Sequence, residues 1–274
     1  LVTPEAVEFR HTEYDLEHAA AAIRQGGFPG AEAFADENDI SPAEYIEIQE
    51  SVSDFIDSFS WSIVERENWN AMWEKNFFNP LLVGEFFVRA PFHEPAPEGR
   101  RAITIEPRMS FGTGHHGTTR LMLTALQDLG DILQNSKVLD MGSGTGILAI
   151  AAEMLGATEV LGVEIDDWVV DNANDNLVIN QTTRTKMILG DVRAISQIQN
   201  GYYDVVLANI HREVILADMA EYVRVLKPQH KLFLSGLQQA DEALIVNHAQ
   251  GLQMKHLKTE TIDGWLMILL EKIA

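Results

Sequence analysis

Residues 138–156 carry the pattern that decides the fold, and they read VLDMGSGTGILAIAAEMLG. A short apolar run leads into Asp140, and apolar residues recur at helical spacing from Ile147 onward. Between the two runs stand three glycines at alternate positions, Gly142, Gly144 and Gly146. Glycine has no Cβ, so such a turn can bring bare backbone against a ligand. The helix that follows directs its free N–H groups to the same place.

A second apolar run, residues 159–163, is followed by a carboxylate at Glu164. A carboxylate at the end of the second strand can accept hydrogen bonds from both hydroxyls of a ribose. Strand, glycine turn, helix, strand and acid in this order predict a doubly wound α/β sheet of the Rossmann-like kind. They also predict a site for a nucleoside-bearing cofactor at the carboxyl edge of that sheet.

The spacing of the glycines indicates which cofactor is bound. The dinucleotide fingerprint G-x-G-x-x-G requires a third glycine five positions after Gly142, where this chain has Ile147. The observed spacing, D-x-G-x-G-x-G, resembles motif I of the class I S-adenosylmethionine-dependent methyltransferases. In that family the glycine turn packs under the methionyl part of the cofactor and the later acid holds the ribose. The resemblance implies that Asp140 also belongs to the cofactor site.

Composition restricts the function further. The chain of 274 residues has 41 acidic and 20 basic side chains, a formal net charge of −21, and no cysteine. Cysteine-ligated zinc, disulfides and thiol catalysis are excluded. So acidic a surface disfavours direct binding of nucleic acid; it either favours a basic partner or serves solubility. With no signal peptide at the start and no apolar run near the ~20 residues of a membrane helix, we expect a soluble, cytoplasmic protein, and a monomer.

Residues 1–75 differ from the rest of the chain in their pattern of apolar residues. Apolar patterns predict strands at 6–10, 31–34 and 59–65, and helices at 16–23 and 41–56. We therefore expect a small α+β domain here, with a ferredoxin-like arrangement as one possibility, then a connector over 76–100 and the catalytic domain over 101–274. Four aromatic residues in the stretch 69–80 suit either a seam between domains or a wall facing the substrate.

Upstream of the glycine turn, residues 105–120 read IEPRMSFGTGHHGTTR. The adjacent His115 and His116 suggest a metal, but neighbours in sequence rarely point at one ion and no third ligand stands at a suitable spacing. We therefore expect no metal site. A glycine-rich loop that closes over the cofactor is the interpretation we favour.

This loop followed by motif I resembles the family of methyltransferases that act on large-subunit ribosomal protein eleven. The resemblance covers at least residues 69–274, including WNAMWEKNFFNPLLVGEFFVRAP and LANI. It implies a small N-terminal substrate-recognition domain, a linker and a class I methyltransferase domain. It also implies a basic ribosomal protein as substrate, methylated at lysine side chains and at its N-terminal amine.

Matching motif to motif carries the family's site residues onto this chain. Phe111, Gly112, Thr113 and Thr119 would cover the cofactor, Gly142 and Gly144 would form its floor, Glu164 would hold the ribose, and Asn209 would sit at the transfer site, against both cofactor and acceptor. The chain departs from the family at Arg108, where glycine is usual, at Glu164, where aspartate is usual, and at residues 211–213.

The remaining strands complete the sheet. Residues 186–191 predict a third strand ending in Asp191, which could accept from the adenine amino group or simply cap the strand end. Residues 203–209 predict a buried parallel strand ending in Asn209. Gly142, Glu164, Asp191 and Asn209 would then share one rim. A strand follows at 231–236, and residues 265–271 are expected to form an antiparallel edge pair with a strand near 254–258.

The chemistry expected at that rim is alignment of an amine behind an electrophilic methyl group. An ammonium has no lone pair, so the amine must lose its proton, and desolvation lowers its pKa. The side-chain or backbone carbonyl of Asn209 would orient the neutral amine. His115, His116 and His211 are candidate bases by their position in the sequence, each with a loop or cap role as the alternative. Two other classes stay open: a methyltransferase for another protein or a small molecule, and a nicotinamide nucleotide-binding or non-catalytic module.

Overall fold

The computed structural model describes residues 7–10, 30–35, 58–63, 79–106, 108 and 110–273. The chain divides into two compact units, Leu1–Asn76 and Phe77–Ala274.

The first unit contains a three-stranded sheet of β1 (Val7–Arg10), β2 (Gly30–Ala35) and β3 (Ser58–Ile63). The three strands predicted there are confirmed. They run parallel in the order β1-β2-β3. A ferredoxin-like sheet needs a hairpin between its second and third strands, so the described strands do not fit that arrangement. Parallel neighbours require long crossovers instead. The helices predicted at 16–23 and 41–56 lie outside the described residues.

The second unit is built on a seven-stranded sheet with the order β12-β13-β11-β10-β7-β8-β9. Its strands are β7 (Lys137–Met141), β8 (Glu159–Glu164), β9 (Thr185–Leu189), β10 (Tyr203–Asn209), β11 (Leu226–Gln238), β12 (Met254–Ile262) and β13 (Trp265–Lys272). Neighbours are parallel except where β13 pairs with β11 and with β12. The order reverses between β7 and β10, which is the switch point where doubly wound sheets bind ligands. The predicted fold class is confirmed.

Helices cover both faces of this sheet. They are α1 (Gly117–Asp128), α2 (Ile147–Met154), α3 (Asp167–Ile179), α4 (Arg212–Val225) and α5 (Glu242–Gly251). Along β10 the residues alternate between two apolar clusters: Val205 and Leu207 pack with α1, α2 and α3, whereas Val206 and Ala208 pack with α4 and α5. A strand buried on both faces reads as one apolar run. No helix among the described residues is long and apolar enough to cross a bilayer.

The segment expected to be a connector contains packed strands. β4 (Leu81–Val83), β5 (Phe86–Arg89) and β6 (Arg101–Thr104) form a separate three-stranded sheet. A turn at Gly84, whose φ is +57°, separates β4 from β5. Phe86, Val88 and Ile103 are fully buried in the core shared with α1. Residues 81–104 are therefore part of the second unit.

The last strand lies inside the sheet rather than at its edge. The predicted antiparallel pairing of β13 with β12 is confirmed. However, β13 also pairs with β11, so β12 alone is the edge strand. Met267 packs on one face of the sheet while Leu266 and Ile268 pack on the other. An apolar run buried on both faces belongs to an inner strand, and β12 and β13 together form the predicted antiparallel pair at the edge of the sheet.

Candidate functional site

A cavity of about 500 Å³ opens at the carboxyl ends of the parallel strands. Its lining includes the four residues expected along one rim, Gly142, Glu164, Asp191 and Asn209, together with Gly144. They arrive from β7, β8, β9 and β10, which are parallel and therefore end on the same side of the sheet.

The glycine turn between β7 and α2 has two positions at which only glycine fits. Gly142 has φ +69° and Gly144 has φ +52°, both in the left-handed region. A Cβ at Gly142 would overlap the side chain of Ile210, and one at Gly144 would overlap the carbonyl oxygen of Phe111. Both positions therefore require glycine for conformation and for space. The turn leaves a bare backbone cradle in the cavity wall.

Glu164 ends β8 and reaches back to the glycine turn. Its Oε2 accepts from the backbone N–H of Gly144 at 2.9 Å, and its Oε1 accepts from the N–H of Ile165 at 2.8 Å. A carboxylate offers about four acceptor positions, so about two stay available for a ligand. The longer side chain, where the family usually has aspartate, spans the gap between strand end and turn.

Asp140 is buried beneath the turn and does not line the cavity. Burial first and then the nearby charge of Glu164 raise its pKa to about 7, against a lowering effect of the Ala149 N–H. Neither carboxylate oxygen has a partner at hydrogen-bonding geometry. Its expected contribution to cofactor binding stays a prediction, and it would act through the turn and Glu164 rather than by contact.

Asp191 caps a short helix at the cavity edge. Its Oδ1 accepts from the backbone N–H of Arg193 at 2.9 Å, and its carboxylate also binds the Arg193 guanidinium. These hydrogen bonds, with the side chain of Arg193 first, lower the pKa of Asp191 to about 2. Of the two roles considered for Asp191, the strand-end cap is the one observed. The carboxylate still lines the cavity.

Asn209 ends the central strand β10 at the cavity floor. The residue is nearly buried, yet its Oδ1 has no hydrogen-bond partner. Buried amide oxygens are normally satisfied, so this atom fits an acceptor held ready for a ligand group. The unpartnered oxygen is the observation that best marks the site as functional.

The loop before α1 forms the other wall, and its residues differ in placement. Phe111 lines the cavity with about half of its surface exposed, and its ring makes an edge contact with His116 at 5.2 Å between centroids. Gly112, Thr113 and Thr119 do not line it, whereas Thr118 does. Successive helical residues are turned by about 100°, which directs Thr119 into the core, where its hydroxyl is buried without a partner.

The three candidate histidines have different partners. His116 Nδ1 lies 2.8 Å from Thr118 Oγ1, and His115 Nε2 lies 2.7 Å from the carbonyl oxygen of Asn79. His211 lines the cavity at the start of α4, as does His116 at the start of α1. Across the described parts of the chain no group of three or more potential ligands could hold a metal ion.

Several lining residues were not anticipated from the sequence. Ile165 and Val192 follow the two strand-end acids, and Tyr222 and Trp265 come from α4 and β13. The Trp265 ring lies 4.7 Å from that of His116. Ile165 could have been found, because an apolar residue directly after the ribose acid suits the face of a base. Tyr222 and Trp265 are brought in by tertiary packing, for which short-range sequence holds no signal.

Comparison with known proteins identifies the family. The family described as Ribosomal protein L11 methyltransferase (PrmA) matches residues 13–273. The chain belongs to this family. A ribosomal protein L11 methyltransferase of Porphyromonas gingivalis is 35% identical over 268 residues, covering 93% of this chain and 89% of the relative. One from Phocaeicola vulgatus is 38% identical over 205 residues, covering 74% and 72%.

A crystal structure of the ribosomal protein L11 methylase of Lactobacillus delbrueckii subsp. bulgaricus has the same fold. It superposes with a TM-score of 0.64 at 22% identity and covers 72% of this chain and 100% of that chain. Membership in the family confirms the prediction of an S-adenosylmethionine-dependent methyltransferase with a Rossmann-like catalytic part. The open alternative of a nicotinamide-binding module is thereby set aside.

Proposed function

We propose that this methyltransferase transfers methyl groups from S-adenosylmethionine to lysine side-chain and N-terminal amines of ribosomal protein L11. Family membership carries the reaction class and the substrate protein. The choice of amine nitrogens as the atoms that receive the methyl group goes beyond what family membership gives. It is supported by one observation above the others: Asn209 lines the cavity and its buried Oδ1 has no hydrogen-bond partner.

The residues present fit the cofactor. Gly142 and Gly144 leave backbone bare where any Cβ would collide with a neighbour, which suits close approach of the methionyl part. Glu164 uses one acceptor position of each oxygen on backbone N–H groups and keeps the others for a vicinal diol. When bound, the cofactor supplies an electrophilic methyl group.

The remaining assignments form the rest of the proposed site. Phe111 would cover the cofactor directly from the cavity wall. Gly112, Thr113 and Thr119 would act from behind that wall by shaping the loop. Asp191 would accept from the adenine amino group with the part of its carboxylate that Arg193 leaves open, and Asp140 would set the charge beneath the turn.

The chain's own contribution to the chemistry is alignment and exclusion of water. A neutral amine would donate one hydrogen to Asn209 Oδ1, and this hydrogen bond would turn the lone pair of the amine nitrogen toward the methyl carbon. Holding the two reactants in line lowers the barrier by several kcal/mol, up to ~10. Apolar cavity walls lower the pKa of the entering ammonium, and its proton leaves before attack. His116 and His211 line the cavity and are the candidate acceptors of that proton.

The division of labour along the chain is also proposed. Residues 1–75 recognise the protein substrate, and the second unit, which includes most of the expected connector over 76–100, binds the cofactor and catalyses. The formal charge of −21 favours attraction of a basic protein and repulsion of nucleic acid. We propose a cytoplasmic monomer that does not engage membranes.

Mass spectrometry of purified ribosomal protein L11 after reaction tests the function. We expect mass gains in steps of one methyl group, on lysine residues and on the N-terminal residue, and much slower gains with the Asn209→Ala variant. Methylation of other proteins but not of ribosomal protein L11 would overturn the substrate assignment. Methyl groups on oxygen or carbon would overturn the choice of acceptor. Calorimetric titration with S-adenosylhomocysteine and with NAD checks the cofactor independently, and binding is expected only for the former.

A further inference from the structure

Three asparagines stand at four-residue intervals along α3, Asn172 and Asn176 within the helix and Asn180 as its C-cap residue. Residues at this spacing share one face of a helix. That face meets the segment that leads from β6 to Phe111, which we call the covering segment (residues 104–106, 108 and 110–112).

All three asparagines bond the backbone of the covering segment, and Asn172 Nδ2 donates to the Glu106 carbonyl oxygen at 3.5 Å. Asn180 Oδ1 accepts from the Thr104 N–H at 2.8 Å while its Nδ2 donates to the Thr104 carbonyl at 2.6 Å. Two residues after Thr104 in the covering segment, the Glu106 N–H donates to Asn176 Oδ1 at 2.8 Å. Alternate residues of an extended chain expose their backbone groups on the same edge, so the asparagine side chains satisfy an edge that none of the described strands covers.

Asn176 alone also reaches the glycine turn. Its Nδ2 donates to the carbonyl oxygen of Thr145 at 2.9 Å. Thr145 in turn donates its N–H to the carbonyl of Phe111 at 3.0 Å and its hydroxyl to the carbonyl of Gly112 at 2.6 Å. Asn176 and Thr145 are both fully buried. The two side chains therefore tie both ends of the covering segment to the turn that cradles the cofactor.

Close packing leaves the tied segment little freedom. A Cβ on Gly112 would lie 2.7 Å from Thr145 Oγ1, and one on Gly144 would overlap the Phe111 carbonyl. The position of the Phe111 ring in the cavity wall is thus fixed through Thr145. Neither Asn176 nor Thr145 lines the cavity.

One further tie is made where this chain departs from its family. Arg108, at a position where the family usually has glycine, binds Asp175 at 2.7 Å. Both side chains are about half exposed, so this ion pair contributes little by itself. It joins the same two elements, α3 and the covering segment, beside Asn176.

We propose that Asn176 is a positioning residue that sets the affinity for the cofactor, through Thr145, by holding the covering segment on the glycine turn. This inference rests on the proposed function, because it takes the cavity to be the cofactor site. Asn176 acts without touching the cofactor.

Asn180 provides the matched control. It is the same residue type four positions further on and it also accepts from a backbone N–H of the covering segment, but its amide nitrogen donates to the Thr104 carbonyl and not to Thr145. Calorimetry with S-adenosylhomocysteine on the full chain compares Asn176→Ala with Asn180→Ala, with the melting temperature of each recorded. We expect the Kd to rise about tenfold or more for Asn176→Ala and to stay within about twofold for Asn180→Ala. Equal changes in Kd for the two variants, or none, overturn the proposal.

Substitution of Thr145 gives a second test that does not disturb the helix. Thr145→Ser keeps the hydroxyl bond to Gly112 and Thr145→Val removes it at similar volume. We expect a raised Kd for Thr145→Val and not for Thr145→Ser, and a combined effect of Thr145→Val and Asn176→Ala smaller than the product of the two. Equal affinities of the two Thr145 variants overturn the proposal even if Asn176→Ala does not fold.

The outcomes separate this inference from the proposed function. A wild-type protein that binds S-adenosylhomocysteine without methylating ribosomal protein L11 refutes the substrate assignment and leaves the comparison of Kd values decisive. A wild-type protein that does not bind S-adenosylhomocysteine overturns both.

Discussion

Glu164 and Gly144, twenty residues apart in sequence, are joined by a hydrogen bond of 2.9 Å from the backbone N–H of Gly144 to Oε2 of Glu164. The bond connects the end of β8 to the turn after β7. It fixes the orientation of the Glu164 carboxylate at the cavity rim. The group that would bind the ribose is therefore oriented before a ligand binds.

Substitution of Glu164 by glutamine tests that role. An amide nitrogen cannot accept, so Glu164→Gln loses the bond from the N–H of Gly144 or of Ile165, together with the bond that the replaced oxygen would accept from the ribose. Hydrogen bonds to a charged group are worth about 1.5–3 kcal/mol, and we expect the Kd for S-adenosylhomocysteine to rise about tenfold or more. Asp166→Asn, which neutralises another carboxylate of the cavity lining two positions on, is the control and should change the Kd by less than about twofold. A larger effect at Asp166 would assign the ribose to that residue.

Gly144 and Gly130 form a matched pair for the steric demand of the turn. Their φ values are +52° and +51°, but a Cβ at Gly130 meets nothing within 4 Å, whereas one at Gly144 meets the Phe111 carbonyl. Gly130→Ala should cost only the left-handed backbone strain, about 1 kcal/mol in the free energy of unfolding. Gly144→Ala should cost more and should abolish cofactor binding, measured by denaturant unfolding and calorimetry. If the two variants lose similar stability and Gly144→Ala still binds the cofactor, the conclusion that Gly144 has no room for a Cβ is contradicted.

Asn209 is expected to affect the rate more than binding. Asn209→Ala removes the acceptor that orients the amine, and we expect kcat to fall about 100-fold while the Kd for S-adenosylhomocysteine changes much less. Asn209→Asp keeps an acceptor but adds a negative charge that raises the pKa of the bound amine. Its activity should therefore recover at higher pH than that of the wild type. An equal loss of kcat and affinity in Asn209→Ala would mean that Asn209 only holds the cofactor.

The buried carboxyl of Asp140 gives a pH dependence of stability. Its pKa is 3.8 as a free side chain and about 7 in the folded protein. Below pH 4 both states are protonated; between about 4 and 7 the unfolded chain releases the proton first, so the free energy of unfolding falls as the pH rises. At about 1.4 kcal/mol per pKa unit, the loss amounts to a few kcal/mol above pH 7.

Asp140→Asn does not titrate and should escape this loss. We expect the variant to be more stable than the wild type at pH 8, with the difference shrinking to near zero at pH 4, in urea unfolding at both pH values. A variant that is less stable by the same amount at both pH values would show that the carboxylate has favourable interactions that the buried site does not reveal.

The central part of the fold was predictable because buried parallel strands are apolar runs that end in polar residues. Leu139 into Asp140, Val163 into Glu164 and Ala208 into Asn209 each mark the carboxyl end of a strand. Since parallel strands end on one side, the rim followed from the sequence alone.

The other features of the fold and the site depend on tertiary contacts, which the spacing of residues in the sequence does not encode. Whether Thr118 or Thr119 faces the cavity depends on the rotation of α1 about its axis, and the order of β12 and β13 depends on which of them meets β11. Met267 and Ile268, apolar on opposite faces, carried the signal that β13 is an inner strand. Asp191 was left between two roles because only the structure places Arg193 beside it.

The inner position of β13 also bears on how the molecule is made. Translation yields β11 and β12 before β13, so the edge of β11 stays bare until residues 265–272 have emerged. A bare strand edge invites pairing with foreign chains, and the insertion of this late strand removes the hazard. Because Trp265 also supplies part of the cavity wall, a nascent polypeptide lacks a complete pocket until that insertion has taken place.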